Sequence, residues 1–307
     1  MNIVFLDRKT LGDDIPLTQF DKYGEIITYE STKPTETLKR VQKADIVVTN
    51  KVVIDKEIMD NSDIKLICIA ATGMNNIDLE YAKQKGISVK NVAGYSSASV
   101  AQLTLSFVLK FVQKIGYYDN YGKNEWKNSE IFTNLDKPFF ELEDKKWGII
   151  GLGDIGKRVA KIADAFGCEV FYYSTSGKNN NSTYPQKSLE ELLAECDVIT
   201  IHSPLNDQTN NLINKLNIKN IKDGALLVNL GRGGIVNEED ITDAINTGQD
   251  IYFGTDVVSK EPIEQNSPLL TIKHKERFLV TPHIAWASKE ARLRLLDGIE
   301  KNIRENS

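Results

Sequence analysis

The run Lys146-Trp147-Gly148-Ile149-Ile150-Gly151-Leu152-Gly153-Asp154-Ile155-Gly156-Lys157 decides the fold. Apolar residues up to Ile150 read as a buried parallel strand, three glycines read as a turn, and Val159, Ile162, Ala163 and Phe166 then recur at helical spacing. Each glycine has a physical task. Gly151 permits the tight turn, Gly153 lets the backbone approach a pyrophosphate, and Gly156 lets the new helix pack closely on the strand. The first turn of that helix carries unpaired N–H groups and a positive dipole end, which attract a diphosphate. A G-x-G-x-x-G pattern alone is also an ordinary turn of an α/β protein. Its setting between a buried strand and an amphipathic helix points to dinucleotide binding.

Outward from this stretch, strand and helix signals alternate in both directions. Before it, short β-rich runs are expected at residues 3–6, 25–29, 45–49, 65–71 and 87–92, with helices near 35–43, 56–60 and 79–85. Residues 96–118 read as one long buried helix, with Ser96 or Ser97 as N-cap, and residues 117–143 as an irregular surface connection. After Phe166, strands are expected at 169–174, 197–202, 225–230, 251–257 and 278–281, and helices near 188–194, 213–220 and 238–246. With the strand before Gly151 these make six, the number a doubly wound dinucleotide-binding sheet needs. Ala291, Leu295, Ile299 and Ile303 place a helix in the tail, expected to fold back onto the first domain.

The 307 residues are enough for two domains with separate cores. A formal net charge of −5, without a basic tract, argues against a nucleic-acid surface. No apolar run is long enough to span a bilayer, and Met1-Asn2-Ile3-Val4-Phe5-Leu6-Asp7 reads as a first strand rather than a signal peptide, so a cytoplasmic location is expected. Cys68, Cys168 and Cys196 stand at unrelated spacings in or beside apolar segments, and read as buried reduced thiols rather than metal ligands or a disulfide framework.

Ligands of doubly wound sheets bind beyond the carboxyl ends of the strands, so the residues just past each strand carry the functional reading. Arg232 stands in the glycine turn Asn229-Leu230-Gly231-Arg232-Gly233-Gly234; a guanidinium there could grip a carboxylate and polarise the adjacent carbonyl. His283 follows Val280-Thr281-Pro282, where an imidazole suits proton transfer. Glu261, in Asp256-Val257-Val258-Ser259-Lys260-Glu261-Pro262, could orient it. The bland alternatives are a surface arginine, a structural histidine and a loop glutamate. His202 ends a strand and reads as structural, and His274 as part of a solvated charged loop.

Taken together, Gly151-x-Gly153-x-x-Gly156, His202-Ser203-Pro204-Leu205, Asn229 to Gly233, Asp256 to Pro262 and Thr281-Pro282-His283 resemble the D-2-hydroxyacid dehydrogenase family across essentially the whole chain. Ala70-Ala71-Thr72-Gly73, Gly94 to Gln102 and Thr281 to Ser288 look most like its glycerate dehydrogenases, also called hydroxypyruvate reductases. The resemblance implies two doubly wound parallel-sheet α/β domains, a flavodoxin-like substrate domain over 1–97 plus 287–307 and a Rossmann domain over 98–286. It implies Arg232, Glu261 and His283 as the catalytic set. It further implies cofactor contacts from Gly151, Gly153, Asp154, Ile155, Gly156, Ser174, Thr175, Ser176, Lys178, Ser203, Pro204, Leu230 and Asp256, the last at the nicotinamide carboxamide. Substrate contacts are implied for Asn50, for the backbone amides of Thr72 and Gly73, and for Arg232 and His283, in a cleft that closes between the domains. A homodimer formed through the dinucleotide domains is implied as well.

The implied reaction is reversible hydride transfer between a nicotinamide and C2 of a 2-oxo or D-2-hydroxy acid, with hydroxypyruvate/glyoxylate and D-glycerate/glycolate expected and pyruvate or another 2-oxo acid as the alternative. A different class also fits, a dinucleotide-sensing corepressor-like binding protein. The family pattern for NAD puts an aspartate at the end of the second strand, and here Ser174 stands in its place. Without that carboxylate a 2′-phosphate is not repelled, and Ser174, Thr175, Ser176 and Lys178 could donate to it. NAD(H) and NADP(H) both stay open, with the balance toward NADP(H).

Overall fold

The computed structural model describes residues 1–179 and 181–306 and divides into two compact units, Met1–Ser96 with Ala287–Ser307, and Ser97–Trp286. In the first unit, strands β1 (Asn2–Phe5), β2 (Glu25–Thr28), β3 (Ile46–Thr49), β4 (Leu66–Ile69) and β5 (Ser88–Lys90) alternate with helices α1 (Pro34–Val41), α2 (Lys56–Asp60) and α3 (Leu79–Gln84). All strands pair in parallel, in the order β2-β1-β3-β4-β5, which is the flavodoxin-like order. Asp55 and Asp78 cap α2 and α3 by accepting the N–H groups of Ile58 and Tyr81. β3 and β4 are buried along their whole length, as strands covered on both faces must be.

The second unit begins with α4 (Ser97–Gln113) and α5 (Ile115–Asn124) and continues through β6 (Lys146–Ile150), α6 (Asp154–Ala165), β7 (Glu169–Tyr173), α7 (Leu189–Glu195), β8 (Val198–Ile201), β9 (Ala225–Asn229), α8 (Glu238–Asn246), β10 (Ile251–Thr255) and β11 (Phe278–Val280). The final helix, α9 (Lys289–Asn306), returns to the first unit and packs against β4, where Gly298 leaves room for Val92. The second sheet is parallel, in the order β11-β10-β9-β8-β6-β7, with a further parallel bridge from Tyr172 to Gln186 outside β7. Counting that bridge as a short third strand, the sheet has the 3-2-1-4-5-6 order of a dinucleotide-binding fold with β11 added as a seventh. The topological switch falls between β6 and β8, where the Gly151 turn begins.

Alternate residues of this sheet feed two cores. Trp147, Ile149, Val198, Leu226 and Val228 join α4 and α6, while Ile199, Ile201, Ala225 and Leu227 join α7 and α8. Glycines set the spacing at two of these contacts. A Cβ on Gly254 would lie 2.6 Å from the Phe107 ring, and one on Gly148 would lie 2.6 Å from Leu192. Trp147 is wholly buried and its indole N–H donates to the Thr200 hydroxyl at 3.1 Å, so the sheet centre keeps no orphaned donor there. All three thiols are buried and unbridged, and burial pushes Cys68 and Cys196 up to about 12 and Cys168 up to about 11. Among the described residues no helix is long and apolar enough to cross a membrane.

Three expectations need correction. The single helix expected over 96–118 breaks at Lys114, whose φ of 50° is left-handed. The connection expected to be irregular from 117 is therefore helical as far as Asn124. The helix expected over 213–220 reduces to one 3-10 turn, Ile218–Asn220, preceded by a bridge from Ile213 to Val236. Asparagine side chains cause this last change: the Asn217 side chain accepts the N–H of Asn214 and that of Asn214 accepts the N–H of Leu216, in place of helical carbonyls.

Candidate active site

Because every strand of the second unit is parallel, the segments following β6 to β11 emerge on one edge of the sheet. The first is the glycine turn. Gly151 has φ +94°, and a Cβ there would lie 2.8 Å from the Ser203 nitrogen. A Cβ on Gly156 would lie 2.3 Å from the Gly151 carbonyl oxygen, so the start of α6 can sit against the turn only with glycine at that position. Gly153, by contrast, has open space around it and is the exposed N-cap of α6. Asp154 is exposed and Ile155 half-buried in the first helical turn. A cradle closed at Gly151 and Gly156 and open at Gly153, over a helix N-terminus, fits a dinucleotide pyrophosphate.

After β7, Ser174 is buried and its hydroxyl accepts the Asn179 N–H at 3.4 Å, while Ser176 and Lys178 are exposed and Thr175 half-buried. The Asn179 side-chain amide donates to the Leu152 carbonyl at 3.4 Å, tying this turn to the glycine turn. After β8, the Ser203 hydroxyl and both ring nitrogens of His202 are shut off from solvent without a hydrogen-bond partner among the described residues, and Pro204 is exposed. Burial pushes the His202 imidazole down to about 3, although the residue as a whole keeps some exposed surface.

After β9, Leu230 is buried and Arg232 exposed. Asn229 shapes this turn: its side-chain oxygen accepts the Gly231 N–H at 3.0 Å and its amide donates to the Arg232 carbonyl at 2.9 Å. The Arg232 guanidinium donates to the Gly231 carbonyl at 2.8 Å. Gly233 packs directly on the segment that leads to Glu261, since a Cβ there would lie 2.0 Å from the Val258 oxygen.

The segments after β10 and β11 meet in an acid–imidazole pair. His283 Nδ1 lies 2.7 Å from Glu261 Oε2, with 28% and 33% of the two side-chain surfaces exposed. A carboxylate only accepts, so Nδ1 carries the proton of this bond and Nε2 is left to exchange one with a ligand. His283 has a left-handed φ of 54°, and Asp256 fixes that turn from below. The Asp256 carbonyl accepts the His283 N–H at 2.9 Å; its carboxylate takes the Thr281 hydroxyl and the N–H groups of Ile284 and Ala285 at 2.9 and 2.8 Å. Burial raises the Asp256 carboxyl above its ordinary value, and these donors oppose the rise.

The structure thus brings Glu261 and His283 together and holds Arg232 in a turn packed against the same loop. Sequence reading missed the bracing roles of Asn229 and Asp256, since a short polar side chain at a strand end has no pattern that reveals its partners. In the first unit, Asn50 is buried after β3. Thr72 follows β4, exposed, its hydroxyl donating to the Val92 carbonyl at 3.2 Å and its own carbonyl accepting the Asn91 amide at 2.6 Å, with Gly73 half-buried beside it.

A parallel dinucleotide cradle with an arginine turn and a carboxylate-oriented histidine on one sheet edge defines a nicotinamide-dependent oxidoreductase. The family model described as the NAD binding domain of the D-isomer specific 2-hydroxyacid dehydrogenases matches residues 105–285. The chain is 38% identical to the hydroxypyruvate reductase of Blautia hydrogenotrophica, over 99% of this chain and 96% of that one. It is 35% identical to the glycerate dehydrogenase of Methylorubrum extorquens, over 98% and 94%. It also superposes with a TM-score of 0.84 and 27% identity on the D-lactate dehydrogenase of Aquifex aeolicus complexed with NAD and lactic acid, covering 99% of this chain and 94% of that one. The protein belongs to the D-isomer specific 2-hydroxyacid dehydrogenases.

Proposed function

We propose that the protein interconverts hydroxypyruvate and D-glycerate, and glyoxylate and glycolate. The observation that carries the catalytic assignment is the 2.7 Å pair of His283 and Glu261 beyond the carboxyl end of the sheet. The substrate assignment is supported by likeness to proteins named hydroxypyruvate reductase and glycerate dehydrogenase.

The cofactor, when bound, supplies or takes the hydride at C2. Gly151, Gly153, Gly156 and the N–H groups of Asp154 and Ile155 would hold its pyrophosphate, and Ser203, Pro204, Leu230 and Asp256 would contact it toward the nicotinamide end. The rest of the reaction is the work of the side chains. In the second unit Arg232 is the side chain that would grip the substrate carboxylate, and in the first unit the Thr72 and Gly73 amides and Asn50 are the candidate substrate contacts. In the reducing direction His283 Nε2 delivers a proton to the C2 oxygen as the hydride arrives, and in the oxidising direction it takes that proton back. Glu261 holds the ring with Nδ1 protonated, so that Nε2 faces the reacting oxygen.

For the adenosine end we propose NADP(H), with NAD(H) as the alternative. The buried Ser174 leaves Ser176 and Lys178 as the exposed donors of that turn, and no carboxylate opposes a 2′-phosphate among Ser174 to Lys178. A homodimer is supported by the exposed Ile131, Phe132 and Leu135 between α5 and β6, an unusual grouping of apolar side chains for a monomer's surface. The net charge of −5, without a basic tract, supports the reading that no nucleic acid is bound, and the small-acid partner is supported by the names of the relatives.

Absorbance at 340 nm, followed with hydroxypyruvate, glyoxylate, pyruvate and a bulkier 2-oxo acid, each with NADH and NADPH, tests this reading. Oxidation with the first two is expected, faster with NADPH. Turnover of pyruvate alone would replace the substrate assignment, and binding of a dinucleotide without turnover of any acid would favour a sensing role.

A further inference from the structure

Asp7 follows β1 in the first unit and is 9% exposed, yet among the described residues its carboxylate forms no ion pair. Its neighbour Arg8 turns away to the carbonyls of Gly12 and Ile15. The charge is met instead by donors from the segment that follows β3. The Asn50 N–H lies 3.0 Å from both Asp7 oxygens, the Lys51 N–H donates at 2.8 Å, and the Thr49 hydroxyl donates at 3.2 Å. Thr49 in turn accepts the Val52 N–H at 2.9 Å. Three consecutive residues, Thr49 to Lys51, thus donate to one buried carboxylate by charge-assisted bonds that a neutral side chain would not match, and Val52 is tied in through the Thr49 hydroxyl.

The same segment is fastened to the loop after β4. The Asn76 amide donates to the Val52 carbonyl at 2.9 Å, the Ile54 N–H donates to the Asn76 carbonyl at 3.0 Å, and Ile54 bridges Ile77 in parallel. β3 and β4 are themselves adjacent, with Thr49 opposite Ile69. Lys51 therefore stands two residues past β3 on the same sheet edge as Thr72 and Gly73, in a backbone fixed from both sides. Its side chain is exposed and its ammonium forms no ion pair among the described residues. An ordinary solvated lysine needs no such anchoring.

We propose that Lys51 selects the substrate, its ammonium bonding an oxygen carried on C3 of a 2-oxo acid whose carboxylate lies on the Thr72–Gly73 amides, and that Asp7 is the residue that positions it. This rests on the hydroxypyruvate reading above and names the residue that tells hydroxypyruvate from acids lacking that oxygen. A hydrogen bond from a charged donor discriminates against a partner without the acceptor.

The test compares kcat/KM for hydroxypyruvate and for pyruvate, which carries no oxygen on C3, in the wild type, Lys51→Met, Lys51→Arg, Asp7→Asn and Thr49→Val. The hydroxypyruvate-to-pyruvate ratio is expected to fall about tenfold or more in Lys51→Met, chiefly through KM, and to recover in part in Lys51→Arg. Asp7→Asn and Thr49→Val should lower the ratio less, with dinucleotide affinity unchanged. Should Asp7→Asn not fold, Lys51→Met and Thr49→Val still decide the matter. An unaltered ratio in Lys51→Met, with the wild type active on hydroxypyruvate, overturns this inference and leaves the functional reading standing. A wild type inactive on hydroxypyruvate but active on pyruvate overturns both.

Discussion

The imidazole of His283 and the carboxylate of Glu261 are bonded at 2.7 Å across 22 residues of chain, and both oxygens of that carboxylate have a place. Oε2 meets the ring, while Oε1 takes the Val258 N–H at 3.4 Å. Val258 is also the residue on which Gly233 rests. The arginine turn, the glutamate and the histidine are therefore registered to one another through a single short loop.

Glu261→Gln tests the orienting role. A glutamine can donate to Nδ1 instead of accepting from it, which would put the neutral ring's one proton on Nε2, so that Nε2 could no longer take up the substrate's proton, and the imidazolium that donates one would lose its stabilising carboxylate. We expect kcat to fall roughly 10²- to 10⁴-fold, comparable with His283→Ala, and the dinucleotide dissociation constant to change little. Fluorescence titration of the cofactor beside steady-state kinetics checks both halves; a glutamine variant with near-normal kcat would remove Glu261 from the mechanism.

Arg232 offers a planar pair of donors; Asn229 sets its turn, and its guanidinium donates to the Gly231 carbonyl and forms no ion pair among the described residues. Arg232→Ala should raise KM and lower kcat together, because the carboxylate is held in the ground state and the adjacent carbonyl is polarised in the transition state. Arg232→Lys should recover little, since an ammonium cannot make the paired contact. If the lysine variant matched the wild type, charge alone would account for the arginine.

Much of this was legible in the sequence, for definite reasons. Parallel strands such as β3, β4 and β9 read clearly because burial on both faces leaves a continuous apolar run. The Gly151 turn read clearly because sterics leave glycine as the residue that fits. Lys114 did not, because apolar spacing continues across it and only a backbone angle marks the break. Nor did Asp7 or Asp256: each acts through N–H groups of segments more than 20 residues away, and such partners become visible only when strand order is known.

Gly156→Ala probes the cradle. The added methyl would meet the Gly151 carbonyl oxygen at 2.3 Å, a backbone atom that can move only by shifting the turn or the start of α6. We expect weaker dinucleotide binding and a lower melting temperature. Gly153→Ala, where the Cβ meets nothing within 4 Å of the protein, should leave the melting temperature near wild type and weaken binding alone. Calorimetry with and without cofactor separates the two, and equal melting losses in both variants would refute the division of labour among the glycines.

Acid stability should carry the mark of His202. Its folded-state value is pushed down to about 3 from an ordinary 6.5, so the unfolded chain binds a proton that the folded chain refuses. The sign follows from linkage: the group's contribution is present above about pH 6.5 and is lost as the pH falls from there toward 3, with a limiting slope of about 1.4 kcal/mol per pH unit. Glu195 acts in a lower window. Its bonds to Lys187 and Lys146 hold its carboxyl down to about 2 from 4.5, so its contribution is lost only as the pH drops below about 4.5. Between pH 6.5 and 4.5 the two effects are therefore separated. Urea unfolding at a series of pH values should give a shallower slope for His202→Phe than for wild type in that interval, whereas Glu195→Gln should depart from wild type only below it. A His202→Phe variant that kept the wild-type slope would mean that the imidazole takes up its proton without unfolding, through an opening of the His202–Ser203 turn.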